Sequence, residues 1–431
     1  MNTHDVSIII PVCNKWDLTA PCLESLARYT PHQSEVIVVD NGSTDMTPEA
    51  CPALGKSLFG ESFLYVRQDE NRNFAPACNI GARTASRNLL FFLNNDTLLT
   101  ENWLPPLLAV LEAEPYPAAV GPLLLYPNFA GKQDRIQHLG IVFEPRFYPS
   151  HLYEGFPANH PACKKRRRYQ ALTGAALLIP KTRFMEAGLF DERFINGGED
   201  IALGLRLSST GHILTCVPDS KIYHLASQTP GVHTHTANNA KLLKENYLQH
   251  IVPDLHFSAA KDGYQLALTP GLKVYLELPQ RRRELFAKQI ARAASTEELE
   301  TLLEREPLYH DAYPQLASLY EKKGNIRAAV DALFLAIKLR PHPETAHALT
   351  RLAKTDGHEK EHAYAQSICS WYQNATNFQP LCDAAESVAE LAEKLNFHDV
   401  RDLYRQWTLQ KDAMRRSFGC LPAQTPESAR G

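Results

Sequence analysis

Five residues carry the chemistry that this sequence offers: Asp40, Asp96, Glu199, Asp200 and His224. Each stands where a strand pattern ends or a loop enters a helix. The stretch NLLFFLNNDTLL (88–99) shows it most plainly. Five apolar residues, Leu89 to Leu93, run straight into Asn94, Asn95 and Asp96. A solvated turn is one explanation. A carboxylate held rigidly at a strand end, facing a ligand, is the other. Such a set can divide three tasks. One carboxylate reads a nucleobase. Another, with a histidine, holds a divalent cation against a diphosphate, because a leaving diphosphate gains charge in the transition state. A third takes the proton of an attacking hydroxyl.

Those residues need a frame, and the first third of the chain supplies one. VSIIIPV (6–12), SEVIVVDNGSTD (34–45, ending in a polar, Gly-containing turn), FLYVRQ (63–68) and NLLFFLNND (88–96) read as strands, the first a continuous apolar, β-branched run. Such runs suit strands buried on both faces. Between them, residues 18–29, 75–86 and 103–114 have helical spacing. Strand–helix alternation predicts an α/β fold with a mostly parallel sheet and crossover helices. Ligands of such sheets bind beyond the carboxyl ends of the strands. Asp40 to Ser43 and Asn94 to Asp96 lie there. From 120 to 170 the pattern weakens, and a basic run, KKRRR (164–168), appears. Order returns at ALTGAALLIPKTRFMEAGLFDERF (171–194). Next, Gly197-Gly198 punctuate a loop, and Glu199-Asp200 open a helix, where acids complement the macrodipole. Residues 213–227 predict a further strand carrying His224.

After about 270 the character changes to helical patterns rich in Ala, Leu, Glu, Arg and Lys. Within 310–341, Tyr313, Leu316, Ala317, Tyr320, Gly324, Ala329, Leu333, Ala336 and Pro341 fall at the spacing of one tetratricopeptide-type helix–turn–helix repeat. Residues 386–407 read as a degenerate second copy. The expected organisation is therefore 1–270 as an α/β domain, 271–420 as an α-helical domain, and 421–431 as a disordered tail.

Composition narrows the classes. The chain has 431 residues, 44% hydrophobic and 22% charged, with a formal net charge of −3. That balance gives no global attraction to nucleic acid, so an anionic ligand must be met locally. Nine scattered cysteines, without a C-x-x-C pair, fit a reducing cytoplasm better than a disulfide framework or a zinc site. No apolar run approaches the roughly 20 residues that span a bilayer. The start of the chain reads as a strand rather than a leader. A cytoplasmic protein with at most peripheral membrane contact is expected.

In this order and spacing, residues 5 to about 250 resemble a family 2 glycosyltransferase of the GT-A fold. VSIIIPVCN is similar to the family's opening strand and VIVVDNGSTD to its nucleotide-binding turn. ENRNFAPACNIGARTA resembles the segment before the metal strand, and FLNNDTLL stands where the family has D-x-D. GAALLIPKTRFMEAGLFDERF and GGEDIALGLRLSSTGHILTCVPDSKIYHLAS resemble the acceptor-side and catalytic-base segments. The resemblance implies that Pro11 and Cys13 line the base pocket and that Asp40 bonds the base. Asn41, Asn79, Asn94 and Asn95 join the nucleotide-sugar site. Asp96 and His224 hold Mn2+ or Mg2+. Asp200 is the base, with Glu199 beside it. It also implies direct, inverting transfer from a nucleoside-diphosphate sugar, with rhamnosyltransferase-type members nearest in pattern.

The sequence departs from the family at Asn94 and Asn95, which replace an acid and its neighbour in D-x-D. It departs again at Asn73, which stands where a glycine is expected. Three readings of function follow. The acceptor is a glycan in surface polysaccharide or lipid-linked oligosaccharide synthesis. Or it is a protein, presented by the helical domain. Or the chain is an interaction scaffold with a degenerate transferase domain. The basic run suits an ordinary solvated loop, or an anionic membrane surface or diphosphate-lipid acceptor.

Overall fold

In the computed structural model, residues 6–30, 34–113, 117–225, 234–293, 295–354, 357–374 and 379–410 are described. The expected tail, 421–431, lies outside them. The chain divides into two units, Met1–Phe143 with Phe147–Pro253, and Glu144–Arg146 with Asp254–Gly431.

Continuous β-branched and aromatic runs set the architecture of the first unit. They form β1 (Val6–Val12), β2 (Glu35–Asn41), β3 (Phe63–Gln68) and β4 (Leu89–Leu93). Their connections are α1 (Trp16–Tyr29), α2 (Thr47–Phe59) and α3 (Phe74–Thr84). These four strands pair in parallel, in the order β4-β1-β2-β3. The expected helices at 18–29 and 75–86 correspond to α1 and α3. Helix α2 contains Pro52, which blurs its period.

Beyond β4 the sheet stops being parallel. Short β5 (Thr97–Leu99) leads to α4 (Leu104–Ala113) and to β6 (Pro117–Tyr126). The weakly patterned region holds β7 (Arg135–His138), β8 (Ile141–Phe143), β9 (Pro149–His151) and β10 (Arg167–Tyr169). Then come β11 (Ala176–Pro180), α5 (Lys181–Glu186), α6 (Glu199–Ser209), β12 (Ile213–His224) and α7 (Thr236–Tyr247). Strand β11 runs antiparallel to both β4 and β6, whereas β12 lies parallel to β6. Among the described residues the sheet has ten strands, and it is mixed. Its core includes Ile8, Ile10, Val38, Phe91, Trp103 and Leu178, all essentially fully buried.

In the second unit come α8 (Leu255–Lys261) and a hairpin of β13 (Gln265–Leu268) and β14 (Val274–Glu277). Helices α9 (Gln280–Ile290), α10 (Thr296–Arg305), α11 (Ala312–Lys322) and α12 (Ile326–Leu339) follow. They continue as α13 (Pro343–Leu352), α14 (Glu359–Asn374), α15 (Gln379–Lys394) and α16 (His398–Leu409). The unit therefore begins ahead of the expected 270, because α8 and the hairpin pack into the helical layer. The Trp407 indole N–H donates to Thr269 O at 3.0 Å. The repeat-like spacing corresponds to α11 and α12. Tyr313, Leu316, Ala317, Ala329, Leu333 and Ala336 are buried. Gly324 makes the turn at φ +76°. The proposed second copy is the α15–α16 pair, turning at Asn396 with φ +58°.

Candidate active site

Two turns at the carboxyl ends of β1 and β2 are clipped together. Asn14, at φ +58°, donates its N–H to Ser43 Oγ at 2.7 Å. Its side-chain oxygen accepts the N–H groups of Thr44 and Asp45 at 2.7 and 3.1 Å. Gly42 lets the Glu70–Asn71 backbone come close to the β2 turn. Its φ is +74°, and a Cβ there would sit 2.8 Å from the Glu70 backbone. Pro11 lies in β1, half-buried, opposite Val39. Cys13 is half-buried too. Desolvation, then Asp40 and Asp45, push its thiol pKa up, so it stays protonated.

Asp40 is fully buried. Its carboxylate accepts from Arg67 Nη1 at 2.6 Å, from the Tyr65 hydroxyl, and from the Ser43 N–H at 2.9 Å. All three donors belong to the protein itself. Asp40 fixes Arg67, whose side chain is 44% exposed at the rim of this turn. The carboxamides of Asn41 and Asn79 are also used inside the protein. Asn41 donates to Asn71 Oδ1 and Asn73 O, both at 2.9 Å, and accepts from Arg72 N at 3.0 Å. Asn79 donates to Phe190 O at 2.9 Å and Glu192 Oε1 at 2.8 Å, and accepts the Phe190 N–H at 3.0 Å. With both protons and the carbonyl engaged, these amides brace loops. Asn41 holds Asn73 at φ 72°, ψ −179°, the conformation that its expected glycine would adopt readily.

At the end of β4 the chain turns through Asn94 and Asn95 into Asp96. Asn95 ties the turn to α1 through Thr19 Oγ1 at 2.8 Å. Asp96 points at His224, which β5–β12 pairing brings opposite Thr97. Asp96 Oδ1 lies 3.0 Å from His224 Nε2. Asn94 Nδ2 lies 3.3 Å from the same nitrogen. The other ring nitrogen, Nδ1, bonds to Gln137 Oε1, and Gln137 Nε2 donates to His224 O at 2.9 Å. No third Asp, Glu, His or Cys completes a metal cluster among the described residues. The two present nevertheless fit a divalent cation. Ligand atoms at right angles on bonds of roughly 2.1 Å lie roughly 3.0 Å apart. A cation held by two side chains depends on diphosphate oxygens and water for its remaining ligands.

Glu199 and Asp200 begin α6 after two glycines with positive φ, 144° at Gly197 and 100° at Gly198. Glu199 is buried, and its Oε2 accepts the Gly197 N–H at 2.7 Å. Burial, then the neighbouring Asp200 charge, push its pKa up to about 7. Asp200 is only half-buried. Its Oδ2 accepts the Gly174 N–H at 2.9 Å and its Oδ1 the Ile201 N–H at 2.8 Å. Desolvation still raises its pKa, which makes it a better proton acceptor than an ordinary aspartate. Exposure therefore favours Asp200 over Glu199 for contact with a substrate.

Three successive residues join the two halves of this site. Thr173 N–H faces His138 Nε2 at 3.4 Å, Gly174 N–H holds Asp200, and Ala175 O accepts the Asn94 N–H at 2.9 Å. His138 Nδ1 in turn lies 2.8 Å from His151 Nδ1. Burial, with His151 and His224 near, pushes the His138 pKa well below the histidine range. Gln137, His138 and His151 come from the region that sequence patterns read least well, and RIQH (135–138) carries no motif. His235 stands at the N-terminus of α7 and joins none of these contacts.

Comparison with known proteins gives the site its context. Residues 7–174 match the model of the family described as "Glycosyl transferase family 2". The O-antigen biosynthesis protein RfbC of Myxococcus xanthus is 33% identical over 231 residues, which cover 52% of this chain and 17% of that protein. Validoxylamine A glucosyltransferase of Streptomyces hygroscopicus subsp. limoneus is 30% identical over 256 residues, covering 55% of this chain and 54% of that protein. The N-acetylglucosaminyl-diphospho-decaprenol L-rhamnosyltransferase of Mycobacterium tuberculosis (strain CDC 1551 / Oshkosh) is 27% identical over 236 residues, covering 48% and 72%. The chain thus spans about half or less of the length of the first relatives it matches. The match to the family 2 glycosyl transferase model lies within the first unit and takes in the strand ends that carry Asp40 and Asp96.

Proposed function

We propose that the chain is an inverting glycosyltransferase. It moves a sugar from a dTDP- or UDP-linked donor to a glycan hydroxyl, in surface polysaccharide or lipid-linked oligosaccharide synthesis. One observation carries this reading. Gly174 N–H holds the half-buried, proton-accepting Asp200, and the next carbonyl, Ala175 O, accepts the N–H of Asn94, whose Nδ2 lies 3.3 Å from the His224 Nε2 that faces Asp96. Donor diphosphate and acceptor hydroxyl would therefore meet in one place. The relatives named for O-antigen synthesis and for rhamnosyl transfer support the acceptor class and suggest rhamnose.

In this reading an Asp200 oxygen takes the proton of the attacking hydroxyl. The oxygen bonds to the anomeric carbon, the bond from that carbon to the diphosphate breaks, and the electron pair leaves with the diphosphate. Back-side attack inverts the centre. Asp96 and His224 would hold Mn2+ or Mg2+, which supplies positive charge to the departing diphosphate. Arg67, fixed by Asp40 and Tyr65, faces the nucleotide end. Glu199 keeps the Gly197–Gly198 turn closed beneath Asp200. Lys164, Lys165, Arg166 and Arg168 are exposed around β10. They suit an anionic headgroup or a lipid-linked diphosphate, met from the membrane surface. No helix among the described residues is long and apolar enough to cross a membrane.

The test is a thermal-shift and turnover screen of UDP-, dTDP- and GDP-sugars, with and without Mn2+ or Mg2+. A ligand at 100 times its Kd adds about 2.7 kcal/mol. One nucleotide class should stabilise the protein in a metal-dependent way. Asp96→Ala should lose that effect, while Asp200→Asn keeps it and loses turnover by about 10²–10⁴-fold. Absence of stabilisation by every nucleotide, with metal present, would rule the reading out.

A further inference from the structure

Gln137 is buried in β7 and makes two hydrogen bonds to one residue, His224. Its Nε2 donates to the His224 carbonyl at 2.9 Å. That bond fixes the amide orientation, because the flipped amide would set oxygen against oxygen. Oε1 is then the group that faces His224 Nδ1, and an amide oxygen only accepts. Nδ1 must therefore carry a proton. In the neutral ring, Nε2 is left with its lone pair. A second neighbour agrees. The Asn94 Nδ2 group, which only donates, approaches Nε2 at 3.3 Å. Asp96 Oδ1, 3.0 Å away, accepts from Nε2 when the ring is doubly protonated and can share a cation with the Nε2 lone pair when the ring is neutral.

We propose that Gln137 is the positioning residue of the cation site. It holds His224 as the Nδ1–H tautomer and aims the Nε2 lone pair at the point it shares with Asp96 Oδ1. This inference rests on the reading of Asp96 and His224 as cation ligands. A metal-binding histidine is oriented by what its other nitrogen touches, and loss of that partner typically weakens metal affinity by about 10–100-fold. Here the partner is an amide, so it holds His224 by two bonds, one to the ring and one to the backbone carbonyl, and adds no charge.

The test has a metal-free arm and a metal arm. In the first, the intact chain carries 15N-labelled histidine and is observed by NMR without added metal, at a pH high enough that the ring is neutral. The His224 ring, assigned by its loss in His224→Ala, should show the Nδ1–H tautomer. An Nε2–H tautomer overturns the proposal. In the second, Mn2+ is titrated, alone and with UDP, and followed by electron paramagnetic resonance. Gln137→Leu should bind Mn2+ about 10–100-fold more weakly. Gln137→Glu keeps an acceptor for Nδ1–H and should stay within a few-fold of the parent, which guards against failure of the Leu variant to fold. Unchanged affinity in folded Gln137→Leu, or an equal loss in Gln137→Glu, overturns the role of Gln137 alone. Unchanged affinity in both His224→Ala and Asp96→Ala overturns the cation site on which both readings rest.

Discussion

Glu199 and Asp200 are adjacent in sequence and differ in what surrounds them. Asp200 keeps a face open, whereas Glu199 is enclosed and is held near neutral pH by burial and by its neighbour's charge. The folded protein binds the Glu199 proton more tightly than the unfolded chain does. Its stabilising contribution is thus full below the ordinary value of 4.5 and is lost as pH rises through about 7. Glu199→Gln removes that loss and can still accept from Gly197 N–H. The variant should match the parent at pH 4 and exceed it at pH 8 by up to about 3 kcal/mol. Urea unfolding at both pH values measures this. An equal difference at both would remove the titration argument. The same scale explains Asn79. The resemblance placed it in the nucleotide-sugar site, while its two amide protons go to Phe190 and Glu192 and its oxygen accepts the Phe190 N–H.

At the scale of elements, the loop before α3 depends on Asn73 in a backbone region that side chains avoid. Its φ of 72° with ψ of −179° costs about 1–3 kcal/mol for a residue with a Cβ. Glycine would relieve this and would lose about 0.5–1 kcal/mol more conformational freedom on folding. Asn73→Gly should therefore stabilise the protein by about 1 kcal/mol, read as a shift in urea midpoint. A destabilised variant would show that the Asn73 side chain does work beyond its backbone. Strand β11 is the other decisive element. By running antiparallel between β4 and β6 it delivers Gly174 and Ala175 to Asp200 and Asn94.

At the scale of the molecule, each unit has its own core. One holds Phe91 and Trp103, the other Tyr404 and Trp407. Separately cored units need not unfold as one. Calorimetry should resolve more than one transition. Phe91→Ala and Trp407→Ala, each removing about 3–5 kcal/mol of packing, should lower different transitions. One transition lowered equally by both would refute separate unfolding.

The sequence alone determined the strands at 6–12 and 63–68, those within 34–45 and 88–96, and the acidic groups at their ends. Hydrophobic runs and the polar residues that stop them are local properties, and a buried parallel strand requires them. It also determined the helical character of the second unit, through spacing that repeats within one element. It did not reveal who meets whom. Gln137 and His224 are 87 positions apart, and Asn79 and Phe190 are 111 apart. A buried polar group must find a partner, but the chain's path chooses which one. Hence Asp40 turned inward to Arg67 and Tyr65. Hence also Gln137, His138 and His151, from a stretch without any motif, became the surroundings of the metal-side histidine and the candidate base.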